Sequence, residues 1–463
     1  MKINSFKAEG VHDYLKFNID FFPDLTFLIG INGSGKTSAL KLILGLTTPA
    51  YNYLNQINYT YCEIICSNRN NEKDIIIRSE QNKLENTFIL SLTLNGKIYT
   101  SEPIKRFLYN EDKPYDPDEI SQIEQRNKEL FDELEVANKI RELITPKFLG
   151  LDRRIYEGTV IDYKYRNRRQ FFQSKFRRRN IEGYPGYSAI DISLEEVQLL
   201  VFDYIRKIPQ QQFQISDDFK QKMFTQSFSF VEDYNVEDIP PTTKIIERKE
   251  KVLTALENLG FDYLNNSVKS FFSKIEDIAK KNEELSDEEK TIQSPKLSDK
   301  YLEILRKWYY NGNQLKRIDD IITYSQDYQT RIAELRAPLK KLENLTSNFL
   351  KEGNKVLHTE ADGEIKIILK NGKTANIYEL SSGEKQIIIM IAHLIFEEAQ
   401  KTSGIFIIDE PEISLHIAWQ EIFVSSIMEA SSNTQFILAT HSPSIVAKVD
   451  KEKHCQDLNK LNF

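Results

Sequence analysis

An octapeptide near the start of the chain restricts the possible folds more than any other feature. Residues 30–37 read Gly-Ile-Asn-Gly-Ser-Gly-Lys-Thr, a pattern in which glycines let backbone N–H groups wrap around a phosphate. The apolar run Leu25–Ile29 precedes this segment, and apolar residues at helical spacing follow it over Ser38–Leu46. The pattern predicts a strand, a phosphate-binding loop and a helix in succession, with the helix N-terminus facing the anion. We call Gly30–Thr37 the phosphate loop.

A second apolar run, near the other end of the chain, finishes in two carboxylates. Ile405–Ile408 leads directly into Asp409 and Glu410. A buried strand would bring both to the sheet edge beside the phosphate loop. In a site for ATP and Mg²⁺, Thr37 and Asp409 would hold the metal and Glu410 would polarise the attacking water. The alternative is a strand that merely ends in acidic residues, and the order of the motifs decides between the two.

The chain between these motifs changes character along its length. Strand-like stretches around Ile64, Ile76 and Leu90 predict an antiparallel meander. Residues 194–350 are mostly helical in pattern, and Asn371-Gly372 marks the turn of a strand pair. We therefore predict an α/β fold in three parts. Residues 1–150 would hold the phosphate loop and the meander, residues 151–350 a basic segment and a mainly helical insertion, and residues 351–463 the remaining motifs.

The order of four motifs resembles that of a known family. Leu-Ser-Ser-Gly-Glu-Lys-Gln at 380–386 precedes the acidic strand by one helix, and Thr440-His441-Ser442 ends the next strand. Phosphate loop, signature segment, Asp-Glu strand and switch histidine follow one another in this order in ABC-type P-loop ATPases. Residues 409–416, Asp-Glu-Pro-Glu-Ile-Ser-Leu-His, resemble the D-E-P-E-x-x-L-H of the SMC/RecF/OLD-like cytosolic branch. The chain is most similar to the stand-alone ATPases of bacterial anti-phage systems of the Septu and PARIS type.

The resemblance implies roles for the matching positions. It implies an ABC-type head with an antiparallel β subdomain, working as a head-to-tail homodimer with ATP at the seam and possible assembly into a larger ring of dimers. Glu410 and His441 would be catalytic, and Thr37 and Asp409 would bind Mg²⁺. The residues expected to contact ATP are Asn32, Gly33, Ser34, Gly35, Lys36, Thr37 and Ser38, with Ser381, Gly383 and Glu384 coming from the opposite subunit.

Two further positions leave alternatives open. Ser382 stands where many members of the branch have glycine. Tyr14 would either stack on adenine or make ordinary packing contacts.

Basic residues cluster between the two lobes although the net charge of the chain is −7. The cluster spans Arg153–Arg179 and is interleaved with aromatic residues such as Tyr163 and Phe171. Arginine with aromatic side chains can grip nucleic acid. It can equally bind an acidic protein surface, or form a solvated face paired with the chain's own acidic residues. The sequence does not choose among these three.

Composition excludes other classes of protein. Three cysteines, Cys62, Cys66 and Cys455, have no metal-binding spacing, and Cys62 and Cys66 read as buried thiols of a reduced, cytoplasmic protein. No apolar run reaches the ~18–20 residues that a membrane span needs, so we expect no membrane insertion. Residues 442–463 are too few for a nuclease domain, so we expect this chain to lack nuclease activity.

The leading interpretation follows from the resemblance. The chain would be an ATP-hydrolysing sensor or scaffold of an anti-phage system that controls a separate effector, a nuclease. The alternative is a RecF/SMC-like ATPase of DNA repair or chromosome maintenance. A transporter subunit is disfavoured, because such subunits more usually read D-E-P-T-S-x-L-D at the acidic strand.

Overall fold

The computed structural model describes residues 2–68, 71–106, 126, 129–143, 146–149, 155–156, 189–228, 239–285, 299–399, 404–447 and 449–461. Two compact units make up the chain: Met1–Asp203 with Leu339–Phe463, and Tyr204–Pro338. The basic cluster Arg153–Arg179 lies outside the described residues, apart from the backbone of Ile155 and Tyr156. The predicted domain bounds 1–150, 151–350 and 351–463 therefore stay a prediction.

In chain order the described strands are β1 (Lys2–Val11), β2 (Leu15–Asp20), β3 (Leu25–Ile29), β4 (Tyr61–Asn68), β5 (Asn71–Asn82), β6 (Thr87–Leu94), β7 (Lys97–Thr100), β8 (Ile104–Lys105), β9 (Lys147–Leu149), β10 (Ile155–Tyr156), β11 (Lys355–Thr359), β12 (Ile365–Leu369), β13 (Thr374–Asn376), β14 (Ile405–Asp409), β15 (Gln435–Ala439) and β16 (Cys455–Asp457). The described α-helices are α1 (Lys36–Thr47), α2 (Tyr51–Gln56), α3 (Glu135–Leu143), α4 (Ala189–Ser227), α5 (Thr242–Leu259), α6 (Asn265–Glu283), α7 (Asp299–Leu350), α8 (Ser382–Ala399), α9 (Ile417–Ala430), α10 (Pro443–Val446), α11 (Lys451–His454) and α12 (Leu458–Leu461).

A mostly parallel sheet carries the phosphate loop and the acidic strand. Its order is β10-β9-β14-β15-β3-β16. Every pairing from β9 to β16 is parallel, and β10 runs antiparallel to β9 at the edge. All residues of β14 and β15 are buried, which is why these strands are continuous apolar runs rather than alternating ones. The carboxyl ends of β14, β15 and β3 consequently lie side by side.

A second sheet is antiparallel and confirms the predicted meander. Its order is β2-β1-β4-β5-β6-β7, with β8 paired to β6. Leu15, Phe17 and Ile19 are buried on β2 while the residues between them are exposed, as their alternation predicts. Cys62 and Cys66 are buried free thiols on β4, and burial raises the pKa of Cys62 well above its ordinary value. The predicted role of these two cysteines is therefore confirmed.

The strand pair predicted around Asn371-Gly372 is also present, and it has a third strand. β11, β12 and β13 form an antiparallel sheet. Gly372 has φ of 75° in the turn between β12 and β13, a left-handed conformation that glycine adopts without strain. Helix α8, which carries most of the signature segment, follows this small sheet.

The second unit is helical, as the pattern of residues 194–350 predicts. Tyr204 of α4 donates a hydrogen bond to the carbonyl of Leu335 in α7 (2.9 Å), and Phe219 packs on Tyr328 with ring centroids 5.3 Å apart. Residue numbers fall along α7 as they rise along α4, so these two helices run antiparallel. Helices α5, α6 and α7 share a core that includes Phe272. None of the helices among the described residues is both long and apolar enough to cross a bilayer.

A buried glutamine joins the two large sheets of the first unit. Gln435 on β15 accepts a hydrogen bond from the Ile3 N–H (2.8 Å). Its amide nitrogen donates to the carbonyls of Ile3 and Phe22, both at 2.8 Å. The side chain is fully buried, so these three backbone groups depend on it for hydrogen bonding.

Replacing this glutamine should destabilise the first unit. Gln435→Leu keeps the volume but leaves three buried backbone groups unpaired, at about 1–3 kcal/mol for each group that finds no other partner. We expect the free energy of unfolding to fall by roughly 2–4 kcal/mol, measured by urea unfolding followed by circular dichroism. Gln56→Leu, at an exposed position, is the control and should change it by less than about 0.5 kcal/mol. Equal stability of the two variants would show that other groups satisfy Ile3 and Phe22.

Candidate nucleotide-binding site

The phosphate loop leaves β3 and turns directly into α1. Gly33 and Gly35 both have φ of 86°, which side chains with a Cβ rarely adopt. A Cβ on Gly35 would also lie 2.6 Å from Phe17 Cζ and 2.8 Å from Leu15 Cδ1, so β2 leaves no room for a side chain. Helix α1 begins at Lys36, and its free N–H groups therefore point towards the loop. The loop has the geometry that an anion site requires.

Lys36 lies where the loop meets the two neighbouring strand ends. Its ammonium donates to the carbonyls of Gly30 (3.0 Å) and Ile31 (3.3 Å), and lies 3.5 Å from His441 Nδ1. The residue is only 5% exposed. Burial lowers the pKa of Lys36, and the nearby carboxylates, Glu410 foremost, oppose that shift. An arriving phosphate would add a charge-assisted hydrogen bond to this buried ammonium.

Asp409 ends β14 and is 4% exposed. Burial raises its pKa, while hydrogen bonding from Thr37 and the ammonium groups of Lys41 and Lys36 oppose the rise. Its Oδ1 atom is buried and has no hydrogen-bond partner among the described residues. A buried carboxylate oxygen without a partner is costly unless a ligand satisfies it.

Asp409 and Thr37 therefore fit a bound Mg²⁺. The described residues contain no cluster of three or more His, Cys, Asp or Glu side chains placed to hold a metal. Mg²⁺, however, is commonly held by one or two protein oxygens together with substrate phosphates and water. Thr37 and Asp409 would supply those protein oxygens beside the phosphate loop.

Glu410 has an uncommon backbone conformation. Its φ and ψ are 49° and 57°, in the left-handed region that non-glycine residues seldom occupy. The Glu410 N–H donates to the carbonyl of Ala439 (2.9 Å), which ties the ends of β14 and β15 together. Burial raises the pKa of Glu410 to about 7, with the carboxylates of Glu412 and Asp409 adding to the rise and Lys36 opposing it. Near neutral pH this carboxyl can accept a proton, as a general base must.

His441 bridges Glu410 and Lys36. Its Nε2 atom lies 3.1 Å from Glu410 Oε1, and its Nδ1 atom faces the Lys36 ammonium. Burial and then the charge of Lys36 lower the pKa of His441, so the ring is neutral at pH 7. We assign the tautomer from this network: Nε2–H donates to Glu410, and Nδ1 accepts from Lys36.

Glu412 is a residue of the site to which sequence reasoning gave no role. Its carboxylate accepts hydrogen bonds from the Thr440 hydroxyl (2.8 and 2.9 Å) and from the N–H groups of His441 (2.6 Å) and Ser442 (3.0 Å). We call Thr440–Ser442 the switch loop. The signal available in the sequence was an acid two residues after Glu410, but nothing in the pattern showed which way it points.

The signature segment, Leu380–Gln386, begins α8 with reciprocal capping bonds. The Ser381 N–H donates to Glu384 (2.8 Å), and the Glu384 N–H lies 3.4 Å from the Ser381 hydroxyl, as in a capping box. Lys355 also pairs with Glu384 at 2.8 Å. Burial raises the pKa of Glu384, but the bonds from Lys355 and Ser381 outweigh burial and the net shift is downward. Glu384 thus has a helix-capping function within the chain.

The predicted roles of Ser381, Gly383 and Glu384 towards ATP stay predictions. Among the described residues, the hydrogen bonds of Ser381 and Glu384 are within the segment or with Lys355. The structure therefore does not bring these side chains to the phosphate loop of the same chain. Ser381 is exposed and Gly383 is buried.

The remaining predicted ATP contacts surround the loop. Asn32 is exposed, Ser34 is buried, and the Ser38 hydroxyl lies 2.9 Å from His12 Nε2. Tyr14 is 73% exposed, and both adenine stacking and ordinary packing stay predictions.

Comparisons with known proteins agree with this geometry. The profile of the AAA ATPase domain matches residues 1–446. The chain belongs to this family. The predicted resemblance to ATPases and the predicted α/β fold with substantial helix are confirmed.

Two relatives are similar over a limited region. The Retron Vc95 probable ATPase of Vibrio cholerae serotype O1 biovar El Tor is 32% identical over 105 residues, which is 21% of this chain and 20% of that protein. The Retron Ec83 probable ATPase of Escherichia coli is 26% identical over 140 residues, 25% of this chain and 26% of that protein. The matches thus span about a fifth to a quarter of the relatives' length.

Two solved structures that are weakly similar to this chain are SMC head domains. The Smc head domain of Pyrococcus furiosus, with an extended coiled coil and bound to the C-terminal domain of ScpA, is 16% identical with a TM-score of 0.40, covering 97% of this chain and 92% of that one. The SMC head domain of Thermotoga maritima is 13% identical with a TM-score of 0.34, covering 97% and 93%.

Substituting Lys36 should strongly weaken nucleotide binding. Lys36→Ala removes the ammonium at the centre of the site, and a charge-assisted contact is worth about 1.5–3 kcal/mol. We expect the Kd for ATP to rise roughly 10- to 100-fold, measured by titration with a fluorescent ATP analogue. Lys373→Ala, at an exposed position, should bind like the wild type. Unchanged affinity of Lys36→Ala would refute the assignment of the phosphate loop.

Proposed function

We propose that this chain binds and hydrolyses ATP with Mg²⁺. One observation carries the proposal: Lys36, His441 and Glu410 form a continuous set of contacts where β3, β15 and β14 end. These residues come from opposite ends of the sequence, and each follows a different strand of one parallel sheet. Ligand sites of open α/β sheets lie at this edge.

Each side chain has a different role in phosphoryl transfer. Lys36 and the N–H groups of the phosphate loop hold the β- and γ-phosphates, and Thr37 and Asp409 hold the metal. Mg²⁺, when bound, neutralises charge on the phosphates. Glu410 takes a proton from the attacking water, for which its raised pKa suits it. His441 reports on the γ-phosphate through its contact with Lys36.

We further propose a head-to-tail homodimer with ATP at the seam. The segment after Glu412 supports this, because Ile413 and Ile417 are 59% and 65% exposed and His416 between them is also exposed. Exposed isoleucines beside a polar catalytic edge suit a contact with a second subunit. Ser381 at the start of α8 is exposed as well, and is thus accessible to the nucleotide of the other subunit.

Glu410→Gln should separate binding from hydrolysis. The amide cannot take a proton, while the phosphate loop and Asp409 stay unchanged. We expect hydrolysis to fall about 10²-fold or more, with ATP affinity kept and an ATP-dependent dimer accumulating. Phosphate release and analytical ultracentrifugation, each with and without ATP, measure these effects. A Glu410→Gln variant that hydrolyses ATP at the wild-type rate would show that another group is the base.

The biological setting we propose is a bacterial defence system. Support comes from the relatives, two of which are probable ATPases of retrons. In this proposal the chain is a sensor or scaffold subunit that controls a separate nuclease, and the nuclease is the effector. Opening and closing around nucleotide would change the affinity for that partner, which is the coupling that such control requires. The Arg153–Arg179 cluster is the proposed contact surface for nucleic acid or for the partner.

A second candidate is a RecF/SMC-like ATPase of DNA repair or chromosome maintenance. The antiparallel pair of long helices α4 and α7, of 39 and 52 residues, favours it, because such pairs form the arms of SMC-like proteins. It differs from the first candidate in needing no nuclease partner.

Copurification from the native operon distinguishes these candidates. We expect the tagged chain to bring down a nuclease, and the purified chain alone to leave plasmid, single-stranded DNA and tRNA uncut in the presence of ATP and Mg²⁺ or Mn²⁺. Recovery of duplex DNA without a nuclease would favour the repair ATPase. Cleavage that persists through purification, and that depends on an acidic residue of this chain, would contradict an effector supplied in trans.

A further inference from the structure

One carboxylate accepts most of the hydrogen bonds that hold the switch loop against the segment after β14. Glu412 accepts from two consecutive N–H groups, those of His441 and Ser442, and from the hydroxyl of Thr440. The Thr440 hydroxyl in turn accepts from the Ser442 N–H (3.0 Å). Hydrogen bonds to a charged acceptor are roughly twice as strong as neutral ones. The position of the His441 backbone therefore depends on Glu412.

The backbone around Glu412 fixes where this carboxylate lies. The left-handed conformation of Glu410 turns the chain sharply after β14, and Pro411 begins a short 3₁₀ turn that ends at Ser414. The Ile413 N–H bonds to the Glu410 carbonyl (3.2 Å), and the Leu415 N–H bonds to the Glu412 carbonyl (3.1 Å). This turn places Glu412 beside the end of β15 rather than over the phosphate loop.

A second side chain holds the far end of the switch loop. The Ser442 hydroxyl donates to Gln420 Oε1 (2.6 Å), and Gln420 Nε2 donates to the carbonyl of Leu415 (3.0 Å). Gln420 is on α9, and Leu415 is next to His416. The loop that carries His441 is thus bonded on both sides to the segment that follows the acidic strand.

We propose that Glu412 is a positioning residue that holds His441 on Glu410 and Lys36; the proposal rests on the ATPase function proposed above. The Glu412 carboxylate also contacts that of Glu410 and adds to the rise in the pKa of Glu410. It orients the switch loop, and the loop orients the imidazole that contacts both the general base and the phosphate-binding ammonium. Without the carboxylate, the His441 N–H loses its acceptor and the Ser442 N–H keeps the Thr440 hydroxyl, and His441 is free to leave Glu410.

The test compares two substitutions with a matched control. Glu412→Gln keeps the length and one acceptor oxygen but loses the charge, and Glu412→Ala removes both. Glu352→Gln makes the same chemical change at an exposed position of the same unit. The first readout is residue-resolved hydrogen–deuterium exchange of the nucleotide-free protein. We expect protection at His441 and Ser442 to fall about tenfold or more in Glu412→Ala, less in Glu412→Gln, and not at all in Glu352→Gln.

The second readout is the steady-state rate of ATP hydrolysis. We expect kcat to fall about tenfold or more in Glu412→Ala while the Kd for ATP stays within about twofold, because the phosphate loop is intact. Glu412→Gln should lie between Glu412→Ala and the wild type in both measurements. Such graded, parallel changes would support positioning.

Other results would overturn the proposal. Unchanged exchange at His441 and Ser442 would show that Glu412 does not hold the loop. A rise in exchange across the whole unit in both variants would show a general structural role instead. If the wild type hydrolyses no ATP, the ATPase proposal fails, and the exchange measurement still decides whether Glu412 holds the loop.

Discussion

Parallel pairing of β3 with β15, and of β15 with β14, is the interaction on which the site depends. The register joins Leu28 to Ala439 and Ala439 to Asp409, so three strand ends lie in one row. The hydrogen bonds of a parallel ladder run between backbones and are therefore insensitive to the distance in sequence between the strands. Lys36 and His441, 405 positions apart, meet because their strands are neighbours. The glycines of the phosphate loop and the left-handed backbone of Glu410 then set the local chain direction at these strand ends.

The electrostatics of the site follow from this convergence. Three carboxylates, those of Asp409, Glu410 and Glu412, surround one buried ammonium. Burial raises the pKa of Glu410 and lowers that of Lys36, so both groups favour their neutral forms more than in water. Glu412 accepts hydrogen bonds from three donors of the switch loop. Glu412 thus bonds to backbone N–H groups of the switch loop, whereas Asp409 and Glu410 are the carboxylates proposed to act on the metal and on the attacking water.

Local patterns in the sequence predicted most of the fold and of the site. The phosphate loop, the buried strand β14 and the turn at Gly372 were predictable because the residue types at these positions largely determine the local backbone conformation. Glu412 was not, because its role depends on donors from a loop 28 residues away. The fully buried Gln435 was also missed, since a glutamine gives no sign of pairing with Ile3. Periodicity reports which face of an element is buried, and it does not report the partner of a single polar group.

The buried contacts of Gln435 have a consequence for how the protein is made. Ile3 is bonded to a residue 432 positions later, and the Ile31 N–H of the phosphate loop to Asn459, 428 positions later. Contacts so distant in sequence close slowly and only after the intervening chain exists. A ribosome that adds about 5–20 residues per second needs on the order of tens of seconds to produce that length. The phosphate loop is therefore synthesised long before Glu410 and His441, and a nascent chain has no assembled site until these residues have been added.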